Sequence, residues 1–142
     1  MMISARNQID ADIVSVCRDG VSALLELKTL QGTHLFASIT GNASEALSVR
    51  EGDRVIAFFK DSHVLVATGW VIPISARNRL EGVVESIHRG VVNAEVRIRL
   101  GGGDRISATV TDDAVSNLAL QPGMPVVAIV KASDMMIAKP VR

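Results

Sequence analysis

The sequence has no tyrosine, one tryptophan and three phenylalanines. So few rings offer unpaired bases little to stack on, which disfavours a single-strand nucleic-acid surface. It has one cysteine, Cys17, which excludes an internal disulfide framework and any all-cysteine zinc site within one chain. Nor is there a surplus of charge: 15 basic residues balance 15 acidic ones. No global positive field then gathers nucleic acid or anionic lipid, and any anion site must be local. No apolar run reaches the length of a membrane span, and the first residues lack the basic, apolar, small-residue succession of a secretory signal. The expectation is a cytoplasmic protein with neither membrane nor nucleic acid as partner. Apolar residues, by contrast, are plentiful at 48% of 142, enough for a packed core and for further surface buried between subunits.

What organises the chain is a repeat. Ile3-Ser4-Ala5-Arg6-Asn7 returns as Ile74-Ser75-Ala76-Arg77-Asn78, a shift of 71 residues. The same ungapped shift pairs Arg18 with Arg89, Thr40 with Thr111, Gly52 with Gly123, Lys60 with Lys131 and Ser62 with Ser133. Two domains are expected, 1–70 and 71–142. Their connection, residues 69–73, is short and apolar where a free linker would be Gly/Ser-rich or charged, so the halves are expected to pack together.

Each half reads as short strands rich in β-branched residues. In the second half these are residues 82–87, 93–100 and 105–110, with Val96, Ile98 and Leu100 alternating against Arg97 and Arg99. Such alternation marks one buried and one wet face. Gly101-Gly102-Gly103 supplies a hairpin. A short helix is predicted at 42–47 and 113–118, then strands at 55–59 and 126–130 and last strands at 64–67 and 135–138. Five strands and a short helix in about 70 residues predict an all-β chain, a tandem pair of small OB-like β-barrels.

Glycine tempts first, but no Lys-Ser/Thr follows Gly101–Gly103 and a strand comes next, so the run is no phosphate loop. His34, His63 and His88 occupy non-matching positions without metal-ligand spacing and are expected at the surface. Cys17, in an apolar strand, is expected to be an inert, buried or half-buried thiol. No acid, base or nucleophile constellation recurs, so an enzyme is not expected. What recurs is a set of hydrogen-bond donors suited to an oxyanion: Ser4/Ser75, Arg6/Arg77, Lys60/Lys131 and Ser62/Ser133. Thr40/Thr111 stand where a helix begins and its amides are unpaired. Singly, Arg6 reads as a surface ion pair, Lys60 as a solvated strand end and Thr40 as a helix cap. Together these readings weaken, since barrel packing accounts for repeated apolar positions more readily than for two serines, an arginine and a lysine kept in both halves.

The Ser-Ala-Arg-Asn openings at 4 and 75, Val92-Asn93-Ala94-Glu95-Val96, the helix entry after Thr111 and Lys131-Ala132-Ser133 resemble the Mop (molbindin, or TOBE-like) family over essentially the whole chain. The resemblance implies intracellular binding, storage and buffering of molybdate or tungstate by a homotrimer, with oxyanions at subunit interfaces and neither a catalytic cofactor nor a directly ligated metal. One implied class of site comprises Ser4, Ala5, Arg6, Thr40, Ala43, Lys60 and Ser62, and in the second half Ser75, Ala76, Arg77, Thr111, Ala114, Lys131 and Ser133. A second, axial class implies Val21, Ser22, Val92 and Asn93. Asp61 stands where the second half has Ala132, so it either turns away from the anion or weakens that site. The alternatives are a nucleic-acid-binding OB-type module and a non-catalytic scaffold.

Overall fold

The structure is a computed structural model that describes residues 2–69 and 73–140. The predicted connection at 69–73 therefore falls largely outside the described residues. The chain forms two compact units: Met1–Phe59 with Ala132–Arg142 (unit 1), and Lys60–Lys131 (unit 2).

Unit 1 is built from β1 (Asn7–Arg18), β2 (Ser22–Thr29), β3 (His34–Thr40), α1 (Gly41–Leu47) and β4 (Arg54–Phe59). Unit 2 takes β5 (Leu65–Ala67), β6 (Asn78–Arg89), β7 (Asn93–Leu100), β8 (Arg105–Thr111), α2 (Asp112–Asn117) and β9 (Pro125–Val130). The last strand, β10 (Met136–Ala138), returns to unit 1. The two antiparallel sheets run β10-β4-β1-β2-β3 and β5-β9-β6-β7-β8. In each, the closing strand approaches the far edge strand, β10 near β3 and β5 near β8, so the sheet curls into an OB-like barrel.

The spatial units depart from the sequence halves in their closing segments. β10 of the second repeat ladders on β4 of the first, with Met136 opposite Phe58 and Ala138 opposite Ile56. β5 of the first repeat ladders on β9 of the second, with Leu65 opposite Ile129. Because the halves are alike, a three-residue closing strand suits either sheet, and its sequence does not name its partner.

The helices lie within a residue of the predicted spans, whereas β1 and β6 are each 12 residues long, against the six predicted at 82–87. Their alternation is broken by a bulge, between Ile13 and Ser15 and between Val84 and Ser86, which hides one continuous strand from a period-two search. The cores hold the inward residues: Leu25, Leu27, Leu35, Val55, Ala57 and Phe59 in unit 1, and Val96, Ile98, Ile106, Ala128 and Val130 in unit 2. Cys17 is exposed, contrary to expectation. It follows the bulge, which re-phases β1 so that the thiol faces away from the core.

At Gly82 a repeat position has lost its side chain for a visible reason. Its counterpart is Ala11, fully buried in unit 1, but a Cβ on Gly82 would lie 2.5 Å from the Arg99 carbonyl oxygen and 2.9 Å from Ile98 Cγ2. Unit 1 has Leu27 where unit 2 has the β-branched Ile98. Gly82→Ala is expected to destabilise the protein by about 1–3 kcal/mol through overpacking, read as a lower denaturation midpoint, and Ile98→Leu in the same chain to recover part of it.

Candidate functional site

Thr40 closes β3 and caps α1, its hydroxyl accepting from the Ala43 N–H at 3.1 Å; Thr111 does the same for Ala114, also at 3.1 Å. The cap predicted as the plain alternative is therefore real. It does not exhaust the group, because a hydroxyl that accepts still has its own proton to donate. Gly41 N–H donates to the Val21 carbonyl and Asp112 N–H to that of Val92, each at 2.9 Å. These bonds join each helix entry to the turn holding the predicted axial residues.

Ser4, Arg6, Lys60, Ser62, Ser75, Arg77, Lys131 and Ser133 are all exposed, whereas Ala5 is buried and Ala76 half-buried. Arg6 directly precedes, and Lys60 directly follows, the ladder pair Asn7–Phe59; Arg77 and Lys131 flank Asn78–Val130 in the same way. The strand ladder thus brings the paired cations of each repeat to one end of a sheet. The buried Asn7 and Asn78, 3% and 1% exposed, are the structural part of the repeated pentapeptide.

The strand exchange regroups the rest. Unit 1 holds Ser4, Ala5, Arg6, Thr40, Ala43 and Ser133; unit 2 holds Ser75, Ala76, Arg77, Thr111, Ala114 and Ser62, with Lys60 and Lys131 at its two junctions. The 3-10 turn Asp61–His63 packs on β8 and its counterpart Ala132–Asp134 on β3. Ser62 and Ser133 are therefore not grouped with the helix entries of their own halves. Asp61 is engaged by Thr109, whose hydroxyl donates to its carboxylate at 2.6 Å.

Three contributors escaped sequence reasoning. Arg18 holds α1 to the end of β1 through Ser44 Oγ at 3.2 Å and the Val49 carbonyl at 2.9 Å. Arg89 does so in unit 2 through the Asp112 carboxylate at 2.7 Å and Ser116 Oγ at 2.6 Å. Their recurrence was visible in the repeat, but not their partners. Asp19 accepts from the Val21 N–H at 2.9 Å and the Ser22 N–H at 2.8 Å, so in unit 1 the axial donors already serve a carboxylate. Its counterpart Gly90 bears none, and the two axial positions are unequal.

These contacts set an acid limit. Asp19 lies below the ordinary carboxylate range because the Ser22 and Val21 N–H groups bond its charged form. Asp53 is held low by the Lys139 ammonium, and Asp112 by the Arg89 guanidinium. A depressed folded-state value favours folding above the ordinary carboxylate value and loses that contribution as pH falls through the folded one. Stability should therefore hold between about pH 7 and 5 and decline below about pH 4. In an Asp19→Asn/Asp53→Asn/Asp112→Asn chain the decline should be shallower, as urea midpoints across pH would show.

Among the described residues no group of three or more His, Cys, Asp or Glu could hold a metal ion. No helix among them is long and apolar enough to cross a membrane. Residues 3–66 and 74–137 each match the TOBE domain. The chain belongs to the TOBE-domain family. Its two TOBE copies coincide with the two sequence repeats. The chain is 36% identical over 140 residues to the molybdenum-pterin-binding protein MopB of Rhodobacter capsulatus, a match covering 96% of this chain and 51% of MopB. Over 64 residues, 45% of this chain and 93% of the relative, it is 50% identical to a probable molybdenum-pterin-binding protein of Haemophilus influenzae. The chain spans about half the length of the longer curated relatives. Among solved structures, the cytoplasmic molybdate-binding protein ModG with molybdate bound superposes with a TM-score of 0.95 at 36% identity, covering 99% of this TOBE chain and all of that one. The likeness supports a di-Mop architecture throughout.

Proposed function

We propose that this protein binds molybdate or tungstate as an intracellular, cytoplasmic store and buffer, without catalysis, cofactor or nucleic-acid partner. The observation that carries the reading is the full-length likeness to molybdate-bound ModG in a chain whose repeated polar residues are donors. Molybdate at neutral pH is a fully deprotonated tetrahedral dianion, so each group touching it should donate; phosphate, partly protonated, also wants an acceptor. Lys and Arg only donate, the Thr40 and Thr111 hydroxyls already accept from the Ala43 and Ala114 N–H groups, and the proposed ligands include no carboxylate to take a phosphate proton. Charge-assisted hydrogen bonds contribute roughly 1.5–3 kcal/mol each, so about three to five suffice for micromolar affinity after ordering costs. Release when free oxyanion falls completes the buffer.

The proposed ligands of the first class are Ser4, Ala5, Arg6, Thr40, Ala43, Lys60 and Ser62 with their counterparts Ser75, Ala76, Arg77, Thr111, Ala114, Lys131 and Ser133. An axial class is proposed at Val21-Ser22 and Val92-Asn93. Val21, Val91 and Val92 are 82%, 98% and 72% exposed, apolar surface that assembly would cover. The proposed assembly is a homotrimer with oxyanions between subunits, so molybdate should tighten it by mass action.

Arg77→Ala should weaken the sites it serves by about 2 kcal/mol, roughly thirtyfold, with the fold intact. Molybdenum or tungsten analysis of protein purified from cells fed each oxyanion tests the reading directly. Stoichiometric metal is expected. Metal-free protein that also gains no thermal stability on adding molybdate would favour the scaffold instead.

A further inference from the structure

Unit 1 makes two ion pairs around the start of β4 that unit 2 lacks altogether. Lys139, just past β10, donates to the Asp53 carboxylate and to the Ser48 carbonyl, both at 3.0 Å. Arg54, which opens β4, pairs with Asp12 at 2.6 Å and also feels the Asp10 carboxylate. The 71-residue shift puts Thr68 and Met124 in the places of Lys139 and Asp53, and Pro125 and Val83 in those of Arg54 and Asp12. Both members of both pairs are thus uncharged in unit 2. One acid of the group survives: Asp10 is matched by Glu81, which has no ion-pair partner among the described residues.

At these matched positions unit 2 has an open cavity of about 610 Å³, within the range of about 300–1,000 Å³ that holds small organic molecules. Met124, Pro125, Val126 and Val127 supply apolar walls, and Thr68 and Glu81 are the polar side chains on it. Glu81 on β6 and Ala67 on β5 lie opposite Val127 from its two sides. Two strand spacings of about 4.8 Å each therefore lay a floor about 10 Å wide between the carboxylate and the Thr68 end. We propose that unit 2 carries a binding site for a small organic cation, an ammonium on an apolar body, with the body against Met124, Pro125 and Val127 and the ammonium facing Glu81. Unit 1 shows the complementary case, in which the ammonium at the matched position is the chain's own Lys139. Charge selects the occupant: Glu81 keeps its negative charge where the cation at the Arg54 position has been withdrawn, and an anion there would be repelled. None of the candidate oxyanion residues lines the cavity, so the proposal stands or falls apart from the oxyanion reading.

The test uses full-length protein carrying methyl-labelled methionine, with phenethylamine as the probe, a benzene ring on a short chain that ends in an ammonium at neutral pH. Its ring should shift the Met124 methyl resonance, with a dissociation constant of about millimolar, and leave Met135, buried in the unit 1 core, unmoved. Hydrocinnamate, which carries a carboxylate in place of the ammonium, should bind roughly tenfold more weakly or not at all. Glu81→Gln, at an exposed position, should weaken the amine roughly threefold to fivefold. Thr68→Lys/Met124→Asp rebuilds the unit 1 pair in the cavity and should abolish saturation transfer to the probe; Glu81→Gln keeps the test decisive if that variant fails to fold. No shift at Met124 at any soluble concentration of the amine, equal binding of the amine and hydrocinnamate, or an affinity unchanged in Glu81→Gln would overturn the proposal.

Discussion

Deleting residues 132–142 is expected to cost unit 1 about 3–6 kcal/mol, a large share of the 5–15 kcal/mol that holds a typical domain folded. The segment carries Met135, 1% exposed, and Ile137, 9% exposed, into the unit 1 core, and burying each such side chain contributes about 1.5–3 kcal/mol. Its strand also covers one side of β4, along Ile56, Ala57 and Phe58. Without it, the β4 edge presents unpaired N–H and C=O groups beside an open core, an invitation to strand addition from another chain. Loss of the cooperative denaturation transition, with concentration-dependent aggregation, is the outcome to look for. Were each repeat to close on itself, the same deletion would spare residues 1–59, and hydrogen exchange in β1 and β2 would stay slow.

Phe59→Ala is the point substitution expected to cost most, about 3–5 kcal/mol. Phe59 is the largest fully buried side chain among the described residues. It ends β4 opposite Asn7, where the chain turns toward Lys60. Unit 2 fills the matched position with Val130, 1% exposed, so Val130→Ala removes two methyl groups and should cost only about 1–2 kcal/mol. The comparison separates cavity size from position in the fold. Urea midpoints at constant slope would report it, and equal losses at the two positions would mean that the barrels are not packed alike.

Much of this architecture was legible in the sequence, for identifiable reasons. A 71-residue ungapped shift is a strong signal, and the alternation of Val96, Ile98 and Leu100 with Arg97 and Arg99 fixes which face of β7 is wet. The helices were placed closely because Thr40 and Thr111 mark their entries and cap them as expected. Bulged strands were legible only in part, since Ser15 and Ser86 sit where the period of two slips and the start of each long strand falls inside the polar pentapeptide. Cys17 was misplaced for the same reason. Strand exchange left no mark, because Leu65–Ala67 and Met136–Ala138 are short, similar and able to pair with either β4 or β9. At the candidate site the donors could be named from their recurrence, while the groups opposing or orienting them could not. Asp19 on the Val21 and Ser22 amides, Thr109 on Asp61 and Arg89 on Asp112 are contacts between residues distant in sequence or differing between the halves, and a repeat search rewards likeness.

The most direct test of the account is equilibrium titration of the purified full-length protein with molybdate in the presence of excess sulfate and phosphate, with Arg6→Ala/Arg77→Ala protein alongside. The account predicts saturable micromolar or tighter binding that the competitors scarcely disturb, weakened roughly thirtyfold at the affected sites in the variant. Binding of unchanged affinity and stoichiometry in the variant would place the oxyanion elsewhere in the molecule, and displacement of molybdate by equimolar sulfate or phosphate would contradict the account.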